Sequence, residues 1–120
     1  MKRRTKKFAT DICRFTDKLP AGRSTGVISR QLIRSATSVG ANYRAALRGK
    51  STPDFISKLG IVLEEIDESL YWLEMLDELD RSHHADINIL LKESNELTAI
   101  IAASLKTSKA NSRESASTKS

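Results

Sequence analysis

Five arginines, Arg23, Arg30, Arg34, Arg44 and Arg48, with Lys50 close behind, are the residues of this chain best suited to chemistry. On a helix turning about 100° per residue, the five fall within an arc of roughly 80°. No acid interrupts the run. A guanidinium stays charged and presents a planar fork that fits a phosphate, so such a stripe repels itself until an anion meets it. Carboxylates elsewhere in the chain could serve, and so could the backbone of RNA or DNA. Lys2, Arg3, Arg4, Lys6 and Lys7 enlarge the same basic pole. No aromatic is interleaved with the stripe's charges, so bases have no stacking platform and the contact expected is with phosphate, of low sequence specificity.

The acids Glu64, Glu65, Asp67 and Glu68 raise the question of a metal, because helical bundles can house di-iron centres. Such centres need Glu-x-x-His pairs on helices, and the only histidines, His83 and His84, fall in an expected turn. No metal and no cofactor is therefore expected. Glu64 and Glu68, one turn apart, are expected to face Arg30, Arg34 or Arg44 across a helix or subunit boundary. Adjacent histidines in a turn point apart, so both should face solvent. Ser35 and Ser38 have no histidine base on a helix near them, and Cys13 reads as a small buried hydrophobe. No catalytic residue emerges, and the chain reads as a non-enzyme.

Charge is strongly polarised along the 120 residues. Positions 1 to 53 carry thirteen Lys/Arg against two Asp, positions 54 to 96 carry twelve acids against three bases, and the net charge is +5. The halves must face each other, within or between subunits, or the basic half meets a polyanion. Three Phe, one Trp, two Tyr, five Gly and two Pro point to helices rather than to a many-turned β protein. One cysteine excludes an intramolecular disulfide and suits a reducing compartment, and MKRRTKK is followed by Asp11, Arg14 and Asp17 where a signal peptide would need an apolar stretch. A cytoplasmic protein with no membrane partner is expected.

The elements that position these groups follow from apolar spacing. A first helix over about Thr5–Lys18 gathers Phe8, Ile12, Phe15 and Leu19. Pro20 and Gly22 end it, and Ser24 is the expected N-cap of a second helix that turns Ile28, Leu32, Ala36, Val39, Tyr43, Ala46 and Leu47 inward and stops at a left-handed Gly49. Thr52 as N-cap and Pro53 as first residue open a third helix to about Asp80, with Phe55, Leu59, Val62, Leu63, Ile66, Leu70 and Leu73 on its buried face. A second apolar stripe, Ile61, Trp72, Met75 and Leu79, lies nearly opposite and implies cover by another subunit. Asn42, beside the buried face of the second helix, is expected to make a hydrogen bond that fixes helix register or the subunit contact. The oligomer interface read from these features comprises Asn42, Ile61, Glu64, Glu68, Trp72, Met75 and Leu79. A fourth helix over about Asp86–Lys106 aligns Ile87, Leu90, Leu97, Ile101 and Leu105. The tail from Thr107 has no apolar residue larger than Ala and is expected to be disordered. Short turns between four amphipathic helices give an all-α, antiparallel, up-down-up-down four-helix bundle over residues 1–106, followed by the 107–120 tail.

The run Arg34-Ser35-Ala36-Thr37-Ser38-Val39-Gly40-Ala41-Asn42-Tyr43-Arg44-Ala45-Ala46, with Asp54-Phe55-Ile56 and Leu59 through Leu73, resembles a bacterial family of four-helix-bundle proteins encoded within intervening sequences of 23S ribosomal RNA. The accessory variability determinant of diversity-generating retroelements shares that fold. The resemblance covers Phe8 to Leu105. Members commonly read Asn-Ile-Ala-Glu-Gly after the serine; here Asn42 is kept, and Tyr43-Arg44-Ala45-Ala46 replaces the rest. What the resemblance implies is a bundle assembled as a ring, a pentamer in the retroelement protein, with a basic surface for nucleic acid and for a reverse transcriptase, and no enzymatic activity. The function expected is a homo-oligomeric bundle that binds RNA or DNA through Arg23, Arg30, Arg34, Arg44, Arg48 and Lys50. The alternative is an interaction adaptor, such as an accessory subunit of a retroelement reverse transcriptase, working through the acidic and Trp72 faces of the third helix.

Overall fold

The structure, a computed structural model, describes residues 1–119. It is all-α among these residues, with α1 (Lys2–Asp17), α2 (Arg23–Leu47), α3 (Thr52–Leu79) and α4 (His84–Lys119), and one 3-10 turn at Arg81–His83 between the last two. α2 packs between α1 and α3, α3 packs on α4, and α1 closes lightly against α4. Each neighbour runs antiparallel to the last, which makes an up-down-up-down bundle.

The core is the set of positions whose three-to-four spacing brings them to one side. Phe8, Ile12 and Phe15 meet Ile28, Leu32, Ala36, Val39 and Ala46, then Leu59, Val62, Ile66 and Leu73, then Ile87, Leu90, Leu97 and Ile101. Fully burying a side chain such as Leu32 or Ile66 contributes about 1.5–3 kcal/mol. Small residues let α2 and α3 approach closely. Ser35 and Ser69 are both fully buried, and their Oγ atoms lie 2.9 Å apart across the seam. Ser35 donates to the Leu32 carbonyl at 3.1 Å, and Ser69 also has the Glu65 carbonyl at 2.9 Å as an alternative acceptor.

Several local expectations shift by a residue or change their cause. α2 is capped by Gly22 rather than Ser24, which lies inside the helix. The N-cap of α3 is Ser51, whose hydroxyl accepts from the Asp54 amide at 3.3 Å, so Thr52 opens the helix and Pro53 sits one place further in. Gly49 does not adopt a left-handed conformation, since no glycine among the described residues has positive φ. It is small for a different reason: a Cβ there would stand 2.8 Å from the Asp54 carboxylate and 3.0 Å from the Ala46 carbonyl. Leu47, expected in the core, is 47% exposed. The Thr5 backbone of α1 passes Gly40, whereas Leu47, in the last turn of α2, borders an open cleft with Ser108 and Asn111 of α4.

The expected disordered tail is helical instead. α4 continues without a break from the bundle to Lys119, and Ser120 lies outside the described residues. Lys, Ala, Arg and Glu favour helix, neither Gly nor Pro follows Leu105, and a helix already nucleated in the bundle is extended at little cost. The molecule is accordingly elongated, 59 Å by 22 Å by 20 Å.

Candidate nucleic-acid interface

α2 carries its arginines outward because its opposite side is committed to the core. Arg23, Arg30, Arg34, Arg44, Arg48 and Lys50 are all exposed. At 1.5 Å per residue the line from Arg23 to Arg48 is about 37 Å long. Arg34 differs from the rest. Its guanidinium reaches α3, where Nη1 is 3.3 Å from Glu65 and Nη2 bonds to Glu68. The hydrogen bond to Glu68, with the charge of Glu65, holds Arg34 still more firmly in its protonated form. Arg23, Arg30, Arg44, Arg48 and Lys50 are paired with no carboxylate among the described residues. So the stripe is divided: one arginine ties α2 to α3, and the others present bare charge to solvent.

The basic N-terminus divides in the same way. Arg4 makes a two-pronged contact with Glu93 on α4, Nε to Oε2 at 2.9 Å and Nη2 to Oε1 at 2.7 Å, and Nη2 also reaches Glu96 at 2.6 Å. That hydrogen bond holds the Glu93 carboxyl below the usual range and raises the Arg4 guanidinium further. Lys7 pairs with Asp11 one turn along at 2.6 Å. Lys2, Arg3 and Lys6 remain exposed. Arg4 closes the bundle between its first and last helices, a role that sequence spacing could not show because Glu93 is 89 residues away.

The residues expected at an oligomer interface do not form one free face. Ile61 and Leu79 are exposed, at 38% and 53%, whereas Trp72 and Met75 are half-buried against the core. At about 100° per residue this stripe falls on the same side of α3 as Glu65 and Glu68, which reach Arg34 of α2, so its middle lies on the shoulder turned toward the second helix. Trp72 meets Tyr71 edge-on with ring centroids 4.9 Å apart, and its buried Nε1 has no hydrogen-bond partner among the described residues. Glu68 meets Arg34 within the chain, joined by Glu65; Glu64 is exposed and outside every ion pair found among the described residues. The Asn42 amide donates to the Ser38 carbonyl at 2.9 Å, a bond within its own helix rather than between helices.

The histidines are not simply solvent-facing. His84 Nδ1 lies 3.0 Å from both carboxylate oxygens of Asp77, which is buried and also receives Arg81 Nη1 at 2.9 Å. His83 stands edge-on to Phe15 with centroids 6.2 Å apart. A buried aspartate at the end of α3 gathers both Arg81 and His84, and the i+4 and i+7 spacing from Asp77 could have suggested it. Among the described residues no group of three or more His, Cys, Asp or Glu is arranged to hold a metal ion. Nor is any helix among them long and apolar enough to cross a membrane.

The fold is that of a small antiparallel all-α bundle with a basic α2 and an acidic α3. Residues 1–103 match the 23S rRNA-intervening sequence protein family, and the chain belongs to it. The crystal structure of a protein of unknown function from Bacteroides thetaiotaomicron VPI-5482, described as of the S23 ribosomal protein family, superposes with a TM-score of 0.81 at 33% identity, covering 88% of this chain and 97% of that one. A search of curated proteins finds no match.

Proposed function

We propose that this protein is a non-catalytic, homo-oligomeric RNA- or DNA-binding bundle that works in the cytoplasm. One observation carries the reading: Arg23, Arg30, Arg44 and Arg48 lie exposed on one line of α2 with no carboxylate partner among the described residues, although exposed acids are plentiful on α3. Binding at such a surface is driven by release of counterions from phosphates, so it falls steeply with salt and discriminates little among sequences. The test is titration of labelled single-stranded RNA and duplex DNA at low and moderate salt, with an Arg30/Arg44/Arg48→Glu variant beside the parent. Salt-sensitive binding that disappears in the variant supports the reading, and absence of binding by the parent refutes it.

The exposed apolar side chains Val27 of α2 and Ile61, Tyr71 and Leu79 of α3 support self-association through these two helices. Leu79→Glu, at a side chain that is 53% exposed, should reduce the mass measured by light scattering, and a monomeric parent at micromolar concentration would exclude the assembly. The same helices support the second reading, a docking surface for a protein such as a reverse transcriptase. A partner footprint on Trp72 and Met75 rather than on the arginines would favour it.

A further inference from the structure

The family match ends at residue 103, but α4 runs on to Lys119. Nothing in the core requires that length. Leu105 is the last residue larger than Ala that is apolar. What the added turns carry is charge: Lys106, Lys109 and Arg113, spaced three and four apart, share an arc of roughly 60° on α4. All three are exposed and none is paired with a carboxylate among the described residues. Together with Leu63, Ala102 and Leu105 they line one groove of about 250 Å³ between α3 and α4. Cations at a helix C-terminus can simply complement the dipole, but that effect dies out within the last turn, and Lys106 and Lys109 lie more than two turns before Lys119.

We propose that this extension is a second phosphate-binding surface, and that it makes the protein a binder of flexible single strands in preference to duplex. The proposal rests on the α2 stripe being the first such surface. The groove is lined by α3 and α4 alone, so it opens on a different side of the bundle from the outer face of α2. A stiff duplex lies along one surface at a time. A single strand can turn around the end of the bundle, where Lys50 borders the same cleft as Ser108 and Asn111 of the extension, and meet both.

The test uses the full chain and a Lys106→Gln/Lys109→Gln/Arg113→Gln variant, since Gln keeps the helix-forming tendency of Lys and Arg. Fluorescence anisotropy is read with poly-uridine RNA of roughly 10 and roughly 40 nucleotides and with a duplex DNA of the longer length. The parent should bind the long single strand more tightly than the duplex. The variant should lose on the order of tenfold on the long strand alone, with its salt slope reduced by about 2, as three single-strand phosphate contacts require. Unchanged affinity and slope of the variant for the long strand, where the parent binds, would overturn this proposal and leave the α2 reading standing. An equal loss on all three probes would overturn the single-strand preference. No binding by the parent to any probe would overturn both.

Discussion

Arg34 and Arg30 stand one turn apart on the same helix and have opposite fates. Arg34 is spent on Glu65 and Glu68 of α3, and Arg30 meets no acid among the described residues. Arg4 repeats the first fate at the other side of the bundle, where Glu93 and Glu96 neutralise it. The difference teaches that a basic stripe is not one object. Arginines level with a neighbouring helix's carboxylates serve the fold, and those beyond their reach are left available to a partner. Exposed ion pairs are worth little singly, so the tied arginines position helices more than they stabilise them.

Substitutions should sort along this division. The largest effect expected is on binding: Arg30/Arg44/Arg48→Glu should weaken RNA affinity by two orders of magnitude or more at low salt, leaving thermal stability nearly unchanged. Ser35→Leu is the converse. Overpacking the buried α2–α3 seam should cost about 1–3 kcal/mol, read as a lower denaturation midpoint, without changing the salt slope of any protein that remains folded. Smaller still is Arg34→Gln, which should lower Tm at low salt, converge with the parent at high salt, and alter RNA affinity less than Arg30→Gln does.

The smallest effect concerns pH. Arg4 holds the Glu93 carboxyl below its usual range, so the folded state binds fewer protons there than the unfolded one. The stability this contributes is complete above the ordinary glutamate pKa and is lost as pH falls through the depressed native value. Arg4→Gln should therefore lower Tm at neutral pH and converge with the parent in acid. Parallel Tm curves across the acid range would dissociate Glu93 from Arg4.

The helices were legible because their signals are local. Phe8, Ile12 and Phe15, or Leu59, Val62 and Ile66, announce a buried face by spacing alone, and Pro20 and Pro53 bracket the turns. What eluded sequence reading depends on neighbours far along the chain. Arg4 meets a Glu93 that lies 89 residues away, and Leu47 borders an open cleft at the end of α2 that only the packing of α4 defines. Trp72 and Met75 have the period of a second face, but their angular position on α3 brings them under α2. The C-terminal extension differs for another reason: absence of apolar residues argues against a packed core, yet a helix nucleated in the bundle needs none to continue.

The central claim is that unpaired arginines on α2 meet phosphate. The salt dependence of single-stranded RNA affinity, measured for the parent and for Arg30/Arg44/Arg48→Gln, tests it most directly. Loss of three contacts should lower the slope of log K against log salt by about 2. An identical slope in both proteins would place the binding surface elsewhere on the molecule.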